Sequence, residues 1–368
     1  MMSLRYTLCG TLCLLLLTSC QDESPNPAGQ VAAKPVATVV DDAAAVAALE
    51  PLAQSLKRDG QGAVIEVNFR DSQVTDADLE HLLGLKRVRS VLLNGTGIGD
   101  EGLATLGKLS TLSLLDLREC KISNAGIAHL APLTSLRALR LSSRDGATTV
   151  DDQGLEHLAG LTQIKLLGLD FLWVSEESLS KLGDLQQLEE LYLAKTLVGD
   201  EALATLKQFP RLKKLRISGT QITNDGLAHL AELTALRELD LSENGQVFGD
   251  GLAHLAPLTQ LTRLNLWRVP LTDAGAQHLA AMTRLEWLNL DNTQLTDAGL
   301  KHLQPMTKLV FLHLGSTAVS DAGLPALNKL TALRDLKLTR TAVTEDGVAQ
   351  LQRSLPDAKI QLKYIAGP

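Results

Sequence analysis

The sequence predicts an α/β solenoid, in which short strands alternate with short helices over many similar units. The chain repeats itself with a period of 24 residues, most clearly in residues 285–308. Within each unit, leucine-type residues alternate as in a strand at positions 4 and 6, and then recur at helical spacing at positions 16, 19 and often 22. Moreover, 45% of the residues are hydrophobic but only 3% are aromatic, so leucine and alanine must build the core.

The first nineteen residues, 1–19, resemble a bacterial lipoprotein signal peptide. Arg5 precedes an apolar stretch, residues 8–17, that is too short to cross a bilayer as a helix. The stretch leads into Leu-Thr-Ser-Cys, which resembles the lipobox, where the cysteine is lipidated. The resemblance implies a membrane anchor on Cys20, and Gln21 beside it favours the outer membrane if the cell has two membranes. The alternative is an ordinary secretory signal followed by a chance cysteine.

The next two segments are predicted to connect and cap the array. Residues 20–42 contain three prolines and show neither a helical nor a strand period, so we expect a lipidated cysteine followed by a flexible tether. Residues 43–63 are predicted to form an N-terminal capping helix. Asp41 or Asp42 can serve as its N-cap, and Pro51 would kink it.

The repeat array, residues 64–368, contains about twelve units and ends in a capping strand at residues 359–363. No unit buries its apolar side alone, so the whole array is predicted to be one domain. The units begin at Val64, Val88, Leu112, Leu136, Ile164, Leu188, Leu212, Leu236, Leu261, Leu285, Leu309 and Leu333.

These units resemble the leucine-rich repeat family. Residues 239–241 read Leu-Asp-Leu in the strand half, and residues 271–275 read Leu-Thr-Asp-Ala-Gly in the helix half. The resemblance implies a horseshoe with a parallel sheet on the concave face and helices outside. Threonine mostly fills position 9, where the family often has asparagine, and its hydroxyl can bond the loop backbone. Thr or Ser at position 12 can cap the helix, and Gly at position 15 avoids a side chain that would crowd the neighbouring coil.

Several patterns that look like catalytic or binding motifs are explained by the repeat. Residues 97–102 fit the G-x-G-x-x-G dinucleotide fingerprint, but Gly99 and Gly102 fill the ordinary capping and position-15 sites. Seven of the eight histidines occupy position 18, one to a coil, so we expect them on the helix surface rather than around a metal. Cys120 is predicted to be a core residue. We therefore expect no metal, no small-molecule cofactor and no enzymatic activity, and the net charge of −7 argues against a nucleic-acid partner.

Side chains at positions 3, 5 and 7 are predicted to point off the sheet, and equal positions line up as rows. Two of the three tryptophans lie in these rows, and Trp, Tyr and Arg dominate binding hot spots. The predicted partner-binding residues are Tyr192, Arg216, Asp240, Arg263, Asn265, Trp267, Trp287, Asn289, Asp291, Phe311 and His313. The alternative is a stabilising surface ladder, with Trp287 stacked beside Arg263. Trp173, in the loop after its strand, is predicted to pack against the protein instead.

The sequence thus predicts a lipid-anchored cell-envelope protein that binds a protein or other macromolecular partner on its concave face. The family resemblance implies protein ligands most often. One alternative is a structural envelope protein whose array packs mainly against its neighbours. Another is an adaptor-like repeat protein, because the units resemble those of ubiquitin-ligase substrate receptors. Such adaptors carry an F-box domain, for which residues 21–63 are too short.

Overall fold

The structure is a computed structural model that describes residues 40–363. These residues belong to one compact unit. The predicted signal peptide 1–19, the predicted lipidation site Cys20 and nearly all of the predicted tether 20–42 lie outside the described residues.

One β-sheet of fourteen strands runs through the described part of the chain. The strands are β1 Ser55–Arg58, β2 Val64–Asn68, β3 Ser90–Leu92, β4 Leu114–Asp116, β5 Ala138–Ser142, β6 Leu166–Asp170, β7 Glu190–Tyr192, β8 Lys214–Arg216, β9 Glu238–Asp240, β10 Arg263–Asn265, β11 Trp287–Asn289, β12 Phe311–His313, β13 Asp335–Lys337 and β14 Lys359–Gln361. They stand in the sheet in chain order. Neighbouring strands from β2 to β14 are parallel, whereas β1 is antiparallel to β2.

Helices carry the chain from the end of one strand to the start of the next, which confirms the predicted α/β solenoid. The α-helices are α1 Ala43–Leu49, α2 Asp100–Leu106, α3 Asn124–Ala128, α4 Asp152–Leu155, α5 Glu176–Lys181, α6 Asp200–Thr205, α7 Asn224–Leu230, α8 Asp273–Ala276, α9 Asp297–Leu300 and α10 Glu345–Ser354. The 3₁₀-helices are Ala77–Gly84, Glu156–Leu158, Leu206–Gln208, Gly249–Leu255, Gln277–Ala281, Lys301–Leu303 and Leu324–Leu327. Helices this short are not stable alone, so the packing of the coils maintains them. Within residues 40–363, none of these helices has the length and apolar character that a membrane crossing needs.

Leucines from the strands and the helices form one continuous core along the array. Leu264 and Leu266, at positions 4 and 6, are fully buried, as are Leu252 and Leu255 from the preceding helical segment. Position-9 threonines close the loop after six of the strands, because each hydroxyl donates to the carbonyl three residues earlier. The residues that make this bond are Thr96, Thr196, Thr220, Thr293, Thr317 and Thr341.

Aspartates at position 13 link many of the coils to the next one, and Asn124 and Asn224 take their place in two coils. The Asp200 carboxylate accepts hydrogen bonds from the N–H of Thr223 at 2.8 Å and from its hydroxyl at 2.6 Å. The Thr223 hydroxyl also accepts from the N–H of Asp225, so it caps α7 as predicted. A side chain on Gly226 would overlap the carboxylate of Asp200. Glycine at position 15 therefore leaves room for the aspartate of the preceding coil. The same pairing recurs in Asp100–Ser123, Asp152–Ser175, Asp273–Thr296, Asp297–Ser320 and Asp321–Thr344.

The N-terminal cap differs from the predicted helix over residues 43–63. Helix α1 ends at Leu49, because Pro51 has no N–H to donate to the carbonyl of Ala47. The chain then forms strand β1, which turns back into β2 as an antiparallel hairpin. Gly62 has a φ of +88°, a value that glycine adopts without a steric penalty, and it lies in the turn between the two strands. The array is therefore capped by a short helix and an edge strand.

Two adjacent aspartates, Asp41 and Asp42, bond to different parts of the cap. Asp42 is the N-cap of α1, and its carboxylate accepts the N–H of Ala44 at 2.8 Å. Asp41 instead accepts the N–H of Val64 at 2.7 Å and that of Lys86 at 2.8 Å. The capping segment is thus hydrogen-bonded directly to the first coil of the array.

Candidate functional site

Two rows of side chains, at positions 3 and 5, cross the face of the sheet that lies opposite the helices, which we call the concave face. In row 3, strand pairing places Arg263 opposite Trp287, and Trp287 opposite Phe311. In row 5, the same pairing aligns Asn265 with Asn289. This is the alignment that the 24-residue register predicts, because each strand follows its neighbour by one whole unit.

The aromatic patch, which we define as Arg263, Trp267, Trp287 and Phe311, contains a stack of flat groups. The rings of Trp287 and Phe311 have centroids 4.9 Å apart and are inclined by only 5°. The Arg263 guanidinium carbon lies 3.6 Å from the centroid of the Trp287 ring, and the Lys337 ammonium lies 5.4 Å from that of Phe311. Both rings of the stack are half-buried. Their remaining exposed surface is apolar and held in a fixed orientation.

Polar side chains of row 5 lie beside the stack. The side-chain oxygen of Asn265 accepts the N–H of Trp267 at 3.2 Å, and that of Asn289 accepts the N–H of Asp291 at 3.0 Å. Within residues 40–363, the amide nitrogens of these two asparagines donate no hydrogen bond. His313 Nε2 lies 3.8 Å from the Asp291 carboxylate, and burial lowers the pKa of this histidine although Asp291 opposes the shift. The patch therefore offers two unused donors next to an apolar surface.

Three of the predicted residues form a separate charged cluster nearer the N-terminus. Arg216 lies 3.1 Å from the carboxylate of Asp170 through Nη1 and 3.7 Å from that of Asp240 through Nε. The hydroxyl of Tyr192 donates to Glu190 at 2.7 Å. Burial, assisted by this bond, raises the pKa of Tyr192 well above its usual range. These side chains already have partners, unlike the amide nitrogens beside the aromatic patch.

The charged cluster and the aromatic patch are joined by a shallow cavity of about 190 Å³. Its lining includes Tyr192, Arg216, Asp240, Arg263 and Asn265. The structure thus brings the predicted residues into two groups along one face rather than into a single cluster.

The tryptophans outside the stack behave differently from each other. Trp267 is half-buried, and the Arg268 guanidinium carbon lies 5.4 Å from its ring centroid. Trp173 was predicted to pack against the protein, and this is wrong, because it is 70% exposed. It follows the buried Leu172 in a loop, where strand alternation no longer fixes the direction of a side chain. Leu197, at the same position of the next unit, is also exposed.

The motif-like residues take the places that the repeat assigns to them. Gly99 is the N-cap of α2, and a side chain on Gly102 would meet Asp76 of the preceding coil. Cys120 is fully buried and lies 3.2 Å from the carbonyl oxygen of Leu93, and burial raises the pKa of its thiol to about 11. The position-18 histidines are exposed or half-buried. In the described part of the chain, no three His, Cys, Asp or Glu side chains converge as a metal site would require.

Sequence reasoning missed the N-terminal half of the concave face. There Asp116 is fully buried and forms a two-point pair with Arg118, at 2.8 and 2.7 Å. Beside this pair, a cavity of about 340 Å³ opens over Gly168, and we call it the Gly168 pocket. The pocket is lined by Arg118, Arg140, Gly168, Asp170, Tyr192 and Arg216, among others. The pocket exists because Gly168 has no side chain. In the sequence, this glycine in row 5, where most units carry a large residue, was the one feature that could have predicted the pocket.

Comparisons with known proteins agree with this architecture. A family model described as a leucine-rich repeat matches residues 211–231. An internalin (inlF) from Listeria monocytogenes has a similar structure, with a TM-score of 0.62 and 21% identity over 89% of this chain and 96% of that one. An internalin C2 (inlC2) from the same organism has a TM-score of 0.41 and 25% sequence identity, over 51% of this chain and 76% of that one. A plant peptide hormone receptor, RGFR1 in complex with RGF2, has a TM-score of 0.45 and 14% sequence identity, over 84% of this chain and 59% of the receptor chain. No curated protein matches the sequence.

The fold of residues 40–363 is therefore that of a leucine-rich repeat protein, as the sequence pattern predicted. The inlF internalin matches over nearly the full length of both chains, which makes the likeness one of whole architecture.

Proposed function

We propose that this protein binds a protein partner on its concave face and that the aromatic patch is the centre of the contact. The observation that carries the proposal is the ordered stack of Arg263, Trp287 and Phe311, which is half-open to solvent beside two unused amide donors. Aromatic residues and arginine that are rigid before binding lose little conformational entropy in a complex. No catalytic step is assigned to the residues of the patch.

The alternative of a stabilising surface ladder makes a different use of the same stack. A ladder needs the rings to contact one another, which they do, but it has no need of unused amide donors beside them. The asparagine nitrogens therefore favour recognition over a purely structural role. The same reasoning disfavours a structural envelope protein whose coils are all equivalent, because the aromatic patch is confined to units nine to eleven.

Photo-crosslinking in intact cells tests the proposal. A photoreactive amino acid at Asn289 on the concave face is expected to capture a discrete partner protein. The matched control carries the same amino acid at His278, on the helix side of the array. Capture of the same proteins from both positions, or of none from Asn289, would contradict binding at the patch.

We further propose that the protein is held at a membrane by lipid on Cys20, in the outer membrane if the cell has two. The support is the Leu-Thr-Ser-Cys run at the end of a short apolar stretch, followed by Gln21. Each buried acyl CH₂ group contributes about 0.8 kcal/mol, so several chains on one cysteine anchor a protein firmly.

Cys20→Ala is expected to abolish lipid attachment and to leave an uncleaved precursor. The measurement is incorporation of labelled palmitate, together with the size of the product. Cys13→Ala is the matched control, since it removes a cysteine from the same segment and should leave both readouts unchanged. Normal labelling and cleavage of the Cys20 variant would exclude the anchor.

A further inference from the structure

The Gly168 pocket lies on the concave face, at a distance from the aromatic patch. Gly168 occupies row 5 between Arg140 and Tyr192 on the neighbouring strands. Its φ lies outside the left-handed region, and a Cβ there would be in ordinary van der Waals contact with Arg140. Neither the backbone nor packing therefore requires glycine at this position. What the glycine provides is the open volume of about 340 Å³ above the sheet.

The charged residues that line the pocket are three arginines and one aspartate. Arg118 is paired with Asp116, and Arg216 is paired with Asp170. Arg140 is half-buried, and in the described part of the chain its side chain makes no hydrogen bond and no ion pair. A partly desolvated guanidinium without an acceptor is unfavourable. The Arg140 guanidinium therefore lines the cavity with no carboxylate in ion-pair contact, since Asp116 on the neighbouring strand is paired with Arg118.

We propose that the Gly168 pocket binds a carboxylate of the partner polypeptide, with Arg140 as the residue that pairs with it. A guanidinium presents two parallel N–H groups that match the two oxygens of a carboxylate. Asp170 forms part of the same wall and would repel a doubly charged phosphate more strongly than a singly charged carboxylate. The tyrosine ring of Tyr192 closes another side, which shields the ion pair from water.

This inference rests on the proposed function, and it adds a spacing rule for the ligand. Gly168 lies on β6 and Trp287 on β11, five strands away. Strands in a sheet are about 4.8 Å apart, so the two sites are separated by roughly 24 Å. An extended polypeptide covers about 3.3 to 3.6 Å per residue. The ligand is therefore expected to carry an acidic group about seven residues from the side chain that contacts the aromatic patch.

A displayed library of random twelve-residue peptides, selected on the purified full-length protein, tests the proposal. The wild type is expected to enrich peptides in which Asp or Glu lies about seven residues from an apolar or aromatic residue. Arg140→Ala and Gly168→Leu should lose the acidic preference and keep the apolar one, since the first removes the charge and the second fills the pocket. Arg137→Ala, an exposed arginine on the same coil, is the matched control and should keep both preferences.

Calorimetry with synthetic consensus peptides then measures the pair directly. Replacing the acidic residue of the peptide by its amide, or Arg140 by alanine, should each weaken binding at least tenfold, and the two changes together should cost little more than one. Every consensus peptide is synthesised with an amidated C-terminus, so that the carboxylate that is measured is the one on the acidic side chain.

The outcomes separate this inference from the proposed function. Enrichment of apolar residues without any acidic preference in the wild type would overturn the carboxylate site and leave binding at the aromatic patch intact. An acidic preference that survives both Arg140→Ala and Gly168→Leu would also overturn it. Failure to enrich any peptide would contradict the proposed function, and the carboxylate site, which rests on that function, would be contradicted as well. Thermal melting of both variants checks that they are folded.

Discussion

Trp287→Ala is expected to weaken partner binding by about 2 kcal/mol or more, which is roughly thirtyfold in Kd. The ring stacks on Phe311 with a centroid distance of 4.9 Å, and the Arg263 guanidinium lies 3.6 Å from its centroid. Its removal takes away both the apolar surface and the support that holds the two neighbouring groups in place. The measurement is the affinity for the partner captured from intact cells.

The same variant distinguishes a binding site from a stabilising ladder. An aromatic pair contributes about 0.5–1.5 kcal/mol beyond the apolar area that it buries. Because Trp287 is only half-buried, we expect a moderate loss in the free energy of unfolding rather than a collapse of the fold. Trp173→Ala is the matched control, because Trp173 is 70% exposed in a loop and should affect neither binding nor melting. If Trp287→Ala lowered the melting temperature sharply and left the affinity unchanged, the stack would be a ladder and the patch assignment would be wrong.

The concave rows could be predicted from sequence because a fixed repeat length fixes the register of a parallel sheet. Once each unit is 24 residues long, Trp287 and Phe311 must be neighbours, and they are. The Gly168 pocket could not be predicted in the same way, because its function depends on which of its arginines are already paired. That information comes from distances between side chains, such as the 3.1 Å between Arg216 and Asp170.

Prediction failed where the repeat no longer applies. Leu52 and Leu56 continue a helical spacing beyond α1, but the missing N–H of Pro51 ends the helix, and the next residues pair with β2 instead. Trp173 lies in a loop outside the alternation of the strand, and its side chain faces solvent. In the first case one proline overrides the helical spacing of the leucines. In the second case the path of the loop, rather than strand alternation, sets the direction of the side chain.

The glycines at position 15 show how sequence and structure complete each other. The repeat predicts that a side chain there would crowd the neighbouring coil, and the structure identifies the crowded group as the position-13 aspartate. A Cβ on Gly226 would approach the backbone Cα of Asp200 to 3.1 Å as well as its carboxylate. Rotation of the Asp200 side chain therefore cannot relieve the overlap completely, and any movement breaks its bonds to Thr223.

Gly226→Val is expected to lower the free energy of unfolding by about 2–6 kcal/mol. Overpacking costs about 1–3 kcal/mol, and stranding the N–H of Thr223 adds about 1–3 kcal/mol. The matched control is Gly97→Val, because Gly97 is exposed and a Cβ there meets nothing within 4 Å. It should change stability by less than about 1 kcal/mol. Denaturant unfolding followed by circular dichroism measures both.

A double variant tests whether the aspartate is the cause. Asp200→Ala removes the carboxylate that a valine at position 226 would overlap. It also removes the two hydrogen bonds from that carboxylate to Thr223. The valine should therefore cost less in the Asp200→Ala background than in the wild type, by about 1 kcal/mol or more, because groups in contact are not additive. Strict additivity would mean that the valine acts elsewhere, on Ile222 or the helix itself, and that the aspartate is not what excludes side chains at position 15. A positive coupling would establish that the position-13 aspartate and the position-15 glycine act as one joint between coils, repeated along the array.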